Sequence, residues 1–350
     1  MVVFENIINT SEISFRTCEE VRSLLKKTCA ENSEVADFQE LGSSEQGRPI
    51  VAAILGNGPK TVSLIAGAHS DEPVGPEMLR TFIFQTLAQK DRFAMLFSEF
   101  KFIIVPHINP DGEAKNQAWI KKWPNIEDYL RYAFREPPGR DVEFGYPDMR
   151  KENKVVADFL KAHAPFAMHM SLHGMGFSDG GFLLIEKHWI DRTQKLREKY
   201  SQKILDSGLK LHDHDRNGEK GFQYIGPGFT TTPEGQAMRA YFESIGDEQT
   251  VALFRDSSME FVRKLGGDPL CLVTEIPLFY IGKDVPNSKA GVPAAYLEFK
   301  EKVPELKTKL ARGESITENL DEFDLRPLDL KLQIKLQLRA LELGLETINS

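Results

Sequence analysis

Hydrophobic residues recur along this chain with two different periods. Residues 16–31 place Val21, Leu24 and Leu25 at helical spacing among charges, which predicts one amphipathic helix ahead of the sheet. Two short aliphatic runs follow, PIVAAILG and TVSLIAGAH, divided by the turn signal Gly56-Asn57-Gly58-Pro59, and they read as neighbouring strands. From Gly75 to Gln89 the period lengthens, with Leu79, Phe82, Ile83 and Leu87 on one helical face. Strand signals return in KFIIVPHI, PFAMHMSLHG and LCLVTEIP. Helical patterns cover about 150–162, 189–207, 234–244 and 256–265. Such alternation predicts an α/β protein whose sheet carries helices on both faces. Residues 206–233, rich in Gly and polar side chains, read as long surface loops of the kind that line a cleft. The C-terminal stretch, about 326–348, reads as a helix from its Leu338, Leu341, Leu345 spacing. We expect one catalytic domain over residues 1–350, with the N-terminal helix and this C-terminal helical extension as its flanks.

Composition narrows the class. With 41% hydrophobic and 27% charged residues the chain is an ordinary globular protein, and its formal charge of −8 argues against nucleic-acid partners. No basic-then-apolar leader opens the sequence, and no run approaches the roughly 18 apolar residues of a membrane span. Cys18, Cys29 and Cys271 lack the close spacing of a disulfide framework or a thiolate metal site, so a reducing, cytoplasmic setting is expected, with Cys271 a core residue.

The candidate chemistry lies at strand ends. In GAHSDEPVG, His69 and Glu72 follow an apolar strand, where active sites of open α/β sheets sit, and Pro73 biases Glu72 away from helical geometry so that it can turn back towards His69. Catalytic zinc takes three protein ligands and leaves a fourth position for water. His173, at the end of MHMSLHG and followed by Gly174, is the best third ligand. His169 stands about 13 Å back along the same strand and cannot easily share the ion. Glu275, ending the apolar run LCLVTEIP, is the candidate general base, with Glu186 in FLLIEKHW a weaker competitor. His107, His163, His169 and His188 read as structural, and His212, Asp213, His214 and Asp215 as a solvated polar cluster.

These residues resemble the zinc carboxypeptidases related to carboxypeptidases A and B. ELGSSEQGRPIVAAILG is similar to the segment leading into the family's first strands, TVSLIAGAHSDEPVG to its His-x-x-Glu zinc loop, and VPHINPDGEAKN to its Asn-Pro-Asp-Gly segment at Asn109 to Gly112. SLHG then supplies the second zinc histidine, His173, and LVTEIP the general base, Glu275. The order of the five segments over residues 38–280 makes the resemblance specific. It implies a three-layer fold with a mixed, mainly parallel eight-stranded sheet, one zinc ion per chain, and hydrolysis of a peptide or small amide.

The sequence departs from the family at the substrate end. Where the family carries Asp-x-Asn-Arg, whose Asn and Arg clamp the substrate's terminal carboxylate, this chain reads GRDVEFGYPD, putting Glu143 and Phe144 in those places. An acidic group there favours an amine or guanidinium over a carboxylate. Either Arg140 has taken over the clamp or a free C-terminus is not recognised in the usual way. For the arginine that stabilises the oxyanion, REPPGR offers Arg135 and Arg140, of which Arg135 is preferred. The family's tyrosine near the substrate lacks a clear counterpart before Glu275, with Tyr241 and Tyr280 as candidates. Removal of a C-terminal residue is the leading expectation. A deacylase or amidase on a small N-acyl amino acid or modified peptide is the alternative, and a non-catalytic binding protein of the same fold the third reading. Oligomeric state is left open.

Overall fold

The computed structural model describes residue 4, residues 13–287 and residues 289–350. Among these residues the chain forms an eleven-stranded mixed sheet: β1 (Ala36–Ser43), β2 (Pro49–Leu55), β3 (Lys60–Ala66), β4 (Phe100–Val105), β5 (Met168–Ser178), β6 (Gly180–Ile185), β7 (Lys210–Leu211), β8 (Tyr224–Gly226), β9 (Phe229–Thr231), β10 (Leu270–Ile281) and β11 (Leu325–Pro327). Their order is β1-β2-β4-β3-β5-β10-β6-β9-β8, with β11 on β10 and β7 on β6. The centre, β4-β3-β5-β10, is parallel, whereas β1, β2 and β6 join their neighbours towards the centre antiparallel. Eleven strands replace the eight implied by the resemblance. Four of them are only two or three residues long, too short to show an alternating pattern in sequence.

β5 and β10 are buried over almost their whole length, as parallel strands covered on both faces must be. Alternation along β5 then sorts its chemistry. Met168, Met170 and Leu172 enter the larger core shared with helices Cys18–Glu31, Val74–Ala88, Gln194–Asp206 and Leu330–Asn349. His169, Ser171 and His173 take the opposite face, where helices Lys151–His163 and Ser258–Lys264 pack. The helix at Cys18–Glu31 begins with a capping box made by Thr17 and Glu20. No helix among the described residues is long and apolar enough to cross a membrane.

Helix Ala294–Ala311 has no counterpart in the reading of periodicity, because Pro304 interrupts it among alternating charges. Residues 206–233 are less irregular than their composition suggests, since they contribute β7, β8 and β9. Cys271 is buried in β10, as its apolar run implied, and all three cysteines are unpaired.

Candidate metal centre

β3 ends at Ala66, and Gly67 turns the chain with φ +75°, a left-handed conformation that favours glycine; a Cβ there would also fall 2.4 Å from the His107 ring. The following loop closes on itself, Glu72 N donating to His69 O at 3.3 Å, before helix Val74–Ala88 starts. This brings His69 and Glu72 to the carboxyl end of β3, beside the middle of β5, where His173 stands.

The three side chains converge. His69 Nδ1 lies 3.0 Å from His173 Nδ1 and 3.1 Å from Glu72 Oε1, and His173 Nδ1 lies 2.9 Å from Glu72 Oε2. Tetrahedral zinc at about 2.0–2.1 Å from its ligands separates them by roughly 3.3 Å. Two imidazoles and a carboxylate facing one another at this spacing therefore fit zinc in donor type and in separation. Glu72 is held well below the usual carboxylate range: burial opposes this, but Arg135, His69 and His173 outweigh it.

Each imidazole shows Nδ1 to the centre and Nε2 to a second carboxylate. His69 Nε2 faces Asp141 at 3.4 Å, and His173 Nε2 faces Glu143 at 3.0 Å. Such partners fix ring orientation and raise ligand basicity. Glu143 also accepts from Ser171 Oγ at 3.0 Å and from Ser258 N and Oγ at 3.1 and 2.7 Å. Its pKa falls to about 2, because His173, Ser258 and His69 together overcome burial. The role of Glu143 as a substrate-binding group is thus corrected. It is 3% exposed and its oxygens are occupied behind the histidine, leaving nothing to select an amine. Arg140 is corrected likewise, since it points to Glu45 in an exposed ion pair and does not line the cavity.

Arg135 does reach the centre, through Asp71 Oδ1 at 2.8 Å and an ion pair with Glu72. The Asn-Pro-Asp-Gly segment explains how. Asn109 caps helix Pro110–Ile120 through Gly112 N, and its Nδ2 donates to Glu136 at 2.8 Å. Asn116 Nδ2 and Ser70 Oγ both donate to Phe134 O, and Ser70 Oγ lies 2.9 Å from Glu136. Residues 134–136 are thereby fixed with Arg135 turned inward. Asp111 accepts from Ser44, Gln46 and Arg48, tying the Gly-Arg-Pro segment to the same helix.

Parallel register places Glu275 beside His173 on neighbouring strands. It lines a cavity of about 770 Å3 together with His69, Glu72, Arg135 and His173. Burial first, and then the Glu72 charge, push its pKa up to about 8; His173, His69 and Arg135 pull the other way. Glu186 is spent elsewhere, on His188 and Arg263. His169 is structural, bridging Ser63 Oγ at 2.6 Å and Ser258 Oγ at 3.1 Å. His212 departs from its reading as solvated: it is buried against Asp179 at 2.6 Å and lines the cavity. Neither Tyr241 nor Tyr280 lines the cavity, whereas Tyr296 does, from the start of helix Ala294–Ala311 and after Glu275 rather than before it.

Residues 21–177, spanning the three donors, match the family model described as zinc carboxypeptidase. Over that segment the chain is similar to the zinc carboxypeptidases. Named relatives are distant in sequence. Carboxypeptidase B of Astacus astacus is 22% identical over 161 residues, 44% of this chain and 53% of that protein. Carboxypeptidase D of Homo sapiens is 23% identical over 190 residues, 51% of this chain and 13% of that protein. The chain thus spans about half the length, or less, of these curated relatives. In fold, it is similar to a putative metallopeptidase from Shewanella amazonensis, with a TM-score of 0.53 at 14% identity over 94% of this chain and 92% of that one. Thrombin activatable fibrinolysis inhibitor gives 0.50 at 13% identity over 78% and 72%. Glu275 lies beyond the matched segment, so its assignment rests on register and cavity.

Proposed function

We propose that this zinc carboxypeptidase homologue hydrolyses a peptide or amide bond, removing a C-terminal residue. The observation that carries the reading is the meeting, in one cavity, of a three-donor metal centre and an unpaired carboxyl group opposite one of the donors. Zinc held by His69, Glu72 and His173 supplies Lewis acidity, both to a scissile carbonyl and to water. Glu275 accepts the proton of the attacking water on its carboxylate and passes it to the leaving amine. Arg135 donates to the oxygen on which negative charge develops. Phe144, Phe182, Met238, Phe254 and Met259 form an apolar wall that takes a nonpolar side chain and excludes water.

Residues 1–350 act here as one catalytic unit. Support comes from the C-terminal helix, where Gln337 Nε2 donates to His173 O at 3.0 Å and to Thr274 Oγ1 at 3.2 Å. Three unpaired cysteines fit a cytoplasmic location.

The test is Glu275→Gln in zinc-replete protein, assayed on N-acylated dipeptides. Turnover falls about 10²–10⁴-fold with zinc content unchanged. Chelation abolishes wild-type turnover, and zinc restores it. Unchanged turnover in a zinc-loaded variant removes Glu275 from the role of base.

A further inference from the structure

With Glu143 and Phe144 in place of the carboxylate clamp, Arg140 turned to Glu45 and Arg135 paired with Asp71 and Glu72, the metal end of the cavity holds no unpaired cation among the described residues. The opposite wall does. Arg216, between β7 and β8, lines the cavity with its Nε buried and without a hydrogen-bond partner; among the described residues no carboxylate pairs with its guanidinium. Buried donors in native folds are almost always satisfied, so an orphan on a cavity wall calls for a ligand.

The side chain is also held in place. Its guanidinium carbon lies 4.4 Å from the centre of the Phe222 ring. The backbone around it is pinned: Asp215 N donates to Gly291 O at 2.8 Å, Gly291 N to Asp213 Oδ2 at 2.9 Å, and Tyr224 OH to Asp213 Oδ1 at 2.6 Å. The acidic neighbours are occupied by these contacts, and Asp215 also accepts from Asn217 N at 2.8 Å. Lys300 and Lys307, from helix Ala294–Ala311, line the same cavity and likewise have no ion pair among the described residues. Tyr296, on the first turn of that helix, lines the cavity together with Arg216 and Glu275, so the cations and the reacting groups share one space.

We infer that Arg216 anchors a carboxylate of the substrate, with Lys300 and Lys307 adding positive potential, so that the loop at 212–222 sets specificity in place of the GRDVEFGYPD segment. The inference rests on the hydrolase reading for its meaning but not for its test. A guanidinium with a carboxylate forms a charge-assisted and often bidentate pair, which a preformed arginine makes at low entropic cost. The aromatic floor beside it, Phe222, Phe242 and Phe254, suits an apolar side chain next to that carboxylate.

Binding of N-acetylphenylalanine and of its amide to zinc-loaded protein, measured by calorimetry, decides the matter. Wild type binds the carboxylate at least tenfold tighter than the amide. Arg216→Met erases that preference, and Arg216→Lys keeps part of it. The α-amide of N-acetylglutamate, whose only carboxylate is on the side chain, distinguishes an acidic side chain from a chain terminus as the recognised group. A preference that survives Arg216→Met, in a variant whose thermal melt matches wild type, overturns the inference, as does wild type binding neither carboxylate better than its neutral counterpart. On N-acylated dipeptides the same variant raises KM more than it lowers kcat. If wild type shows the binding preference but hydrolyses no dipeptide, the hydrolytic reading falls and the anchor stands.

Discussion

At the strand end of the cavity the polar atoms answer one another. His69 and His173 share Glu72 on one side and are backed by Asp141 and Glu143 on the other, and Glu143 is in turn held by two serines. At the loop end Arg216, Lys300 and Lys307 face the same space without a single ion pair among the described residues. A site whose donors and acceptors are mutually satisfied is organised before any ligand arrives, and such preorganisation favours chemistry that is fixed. Cations without a carboxylate partner, one on a loop and two on a helix, leave recognition to whatever the ligand brings. On the proposed reading, the reaction is built into the sheet, and the choice of substrate into the segments between strands.

Three experiments probe this division, in order of expected effect. Arg135 belongs to the organised end, so Arg135→Met lowers kcat about 10²–10³-fold; steady-state kinetics on N-acylated dipeptides, with zinc content measured in parallel, separate this from metal loss. A fall confined to KM would move Arg135 to the recognition side. Glu143→Gln keeps the shape behind His173 but removes the charge, and weakens zinc about 10–100-fold in competition with a chromophoric chelator. Unchanged affinity would return Glu143 to the substrate.

The third experiment concerns acid, and its effect is read in stability rather than in rate or affinity. Burial lowers His107 and His169 to about 4, and both are neutral in the folded state at pH values where the unfolded chain already protonates them at about 6.5. The unfolded state therefore binds more protons between these values, and stability falls as pH drops from about 6.5 to 4. The combined loss is on the order of a few kcal/mol. Urea unfolding across that window measures it, and His169→Gln reduces the slope. A flat profile would show that the histidines beneath the metal centre are not sealed from water.

The metal donors were legible in sequence because geometry and chemistry coincide there: His69 and His173 follow apolar runs that have to be strands, and strand ends are where open α/β sheets place their sites. Glu275 was proposed by the same logic, although it and His173 stand within β10 and β5 rather than at their ends. The direction in which a loop carboxylate turns leaves no such trace. Glu143 was read as facing substrate because its place in GRDVEFGYPD allowed it, and only Ser171 and Ser258, distant in sequence, show it facing His173 instead. Tyr296 was hidden because it follows Glu275, at the head of a helix whose periodicity Pro304 disrupts. Arg216 was hidden by its company. Nothing in sequence sets it apart from its neighbours His212, Asp213, His214 and Asp215, whereas the folded loop is pinned to Gly291.

Gln337 adds a question of timing. Its amide holds the carbonyl of a zinc-binding histidine that precedes it by 164 residues. Between the two lie Glu275 and both segments that form the cationic wall. The strand carrying His173 is therefore tied to the helix carrying Gln337 only after Glu275 and the cationic segments have been made.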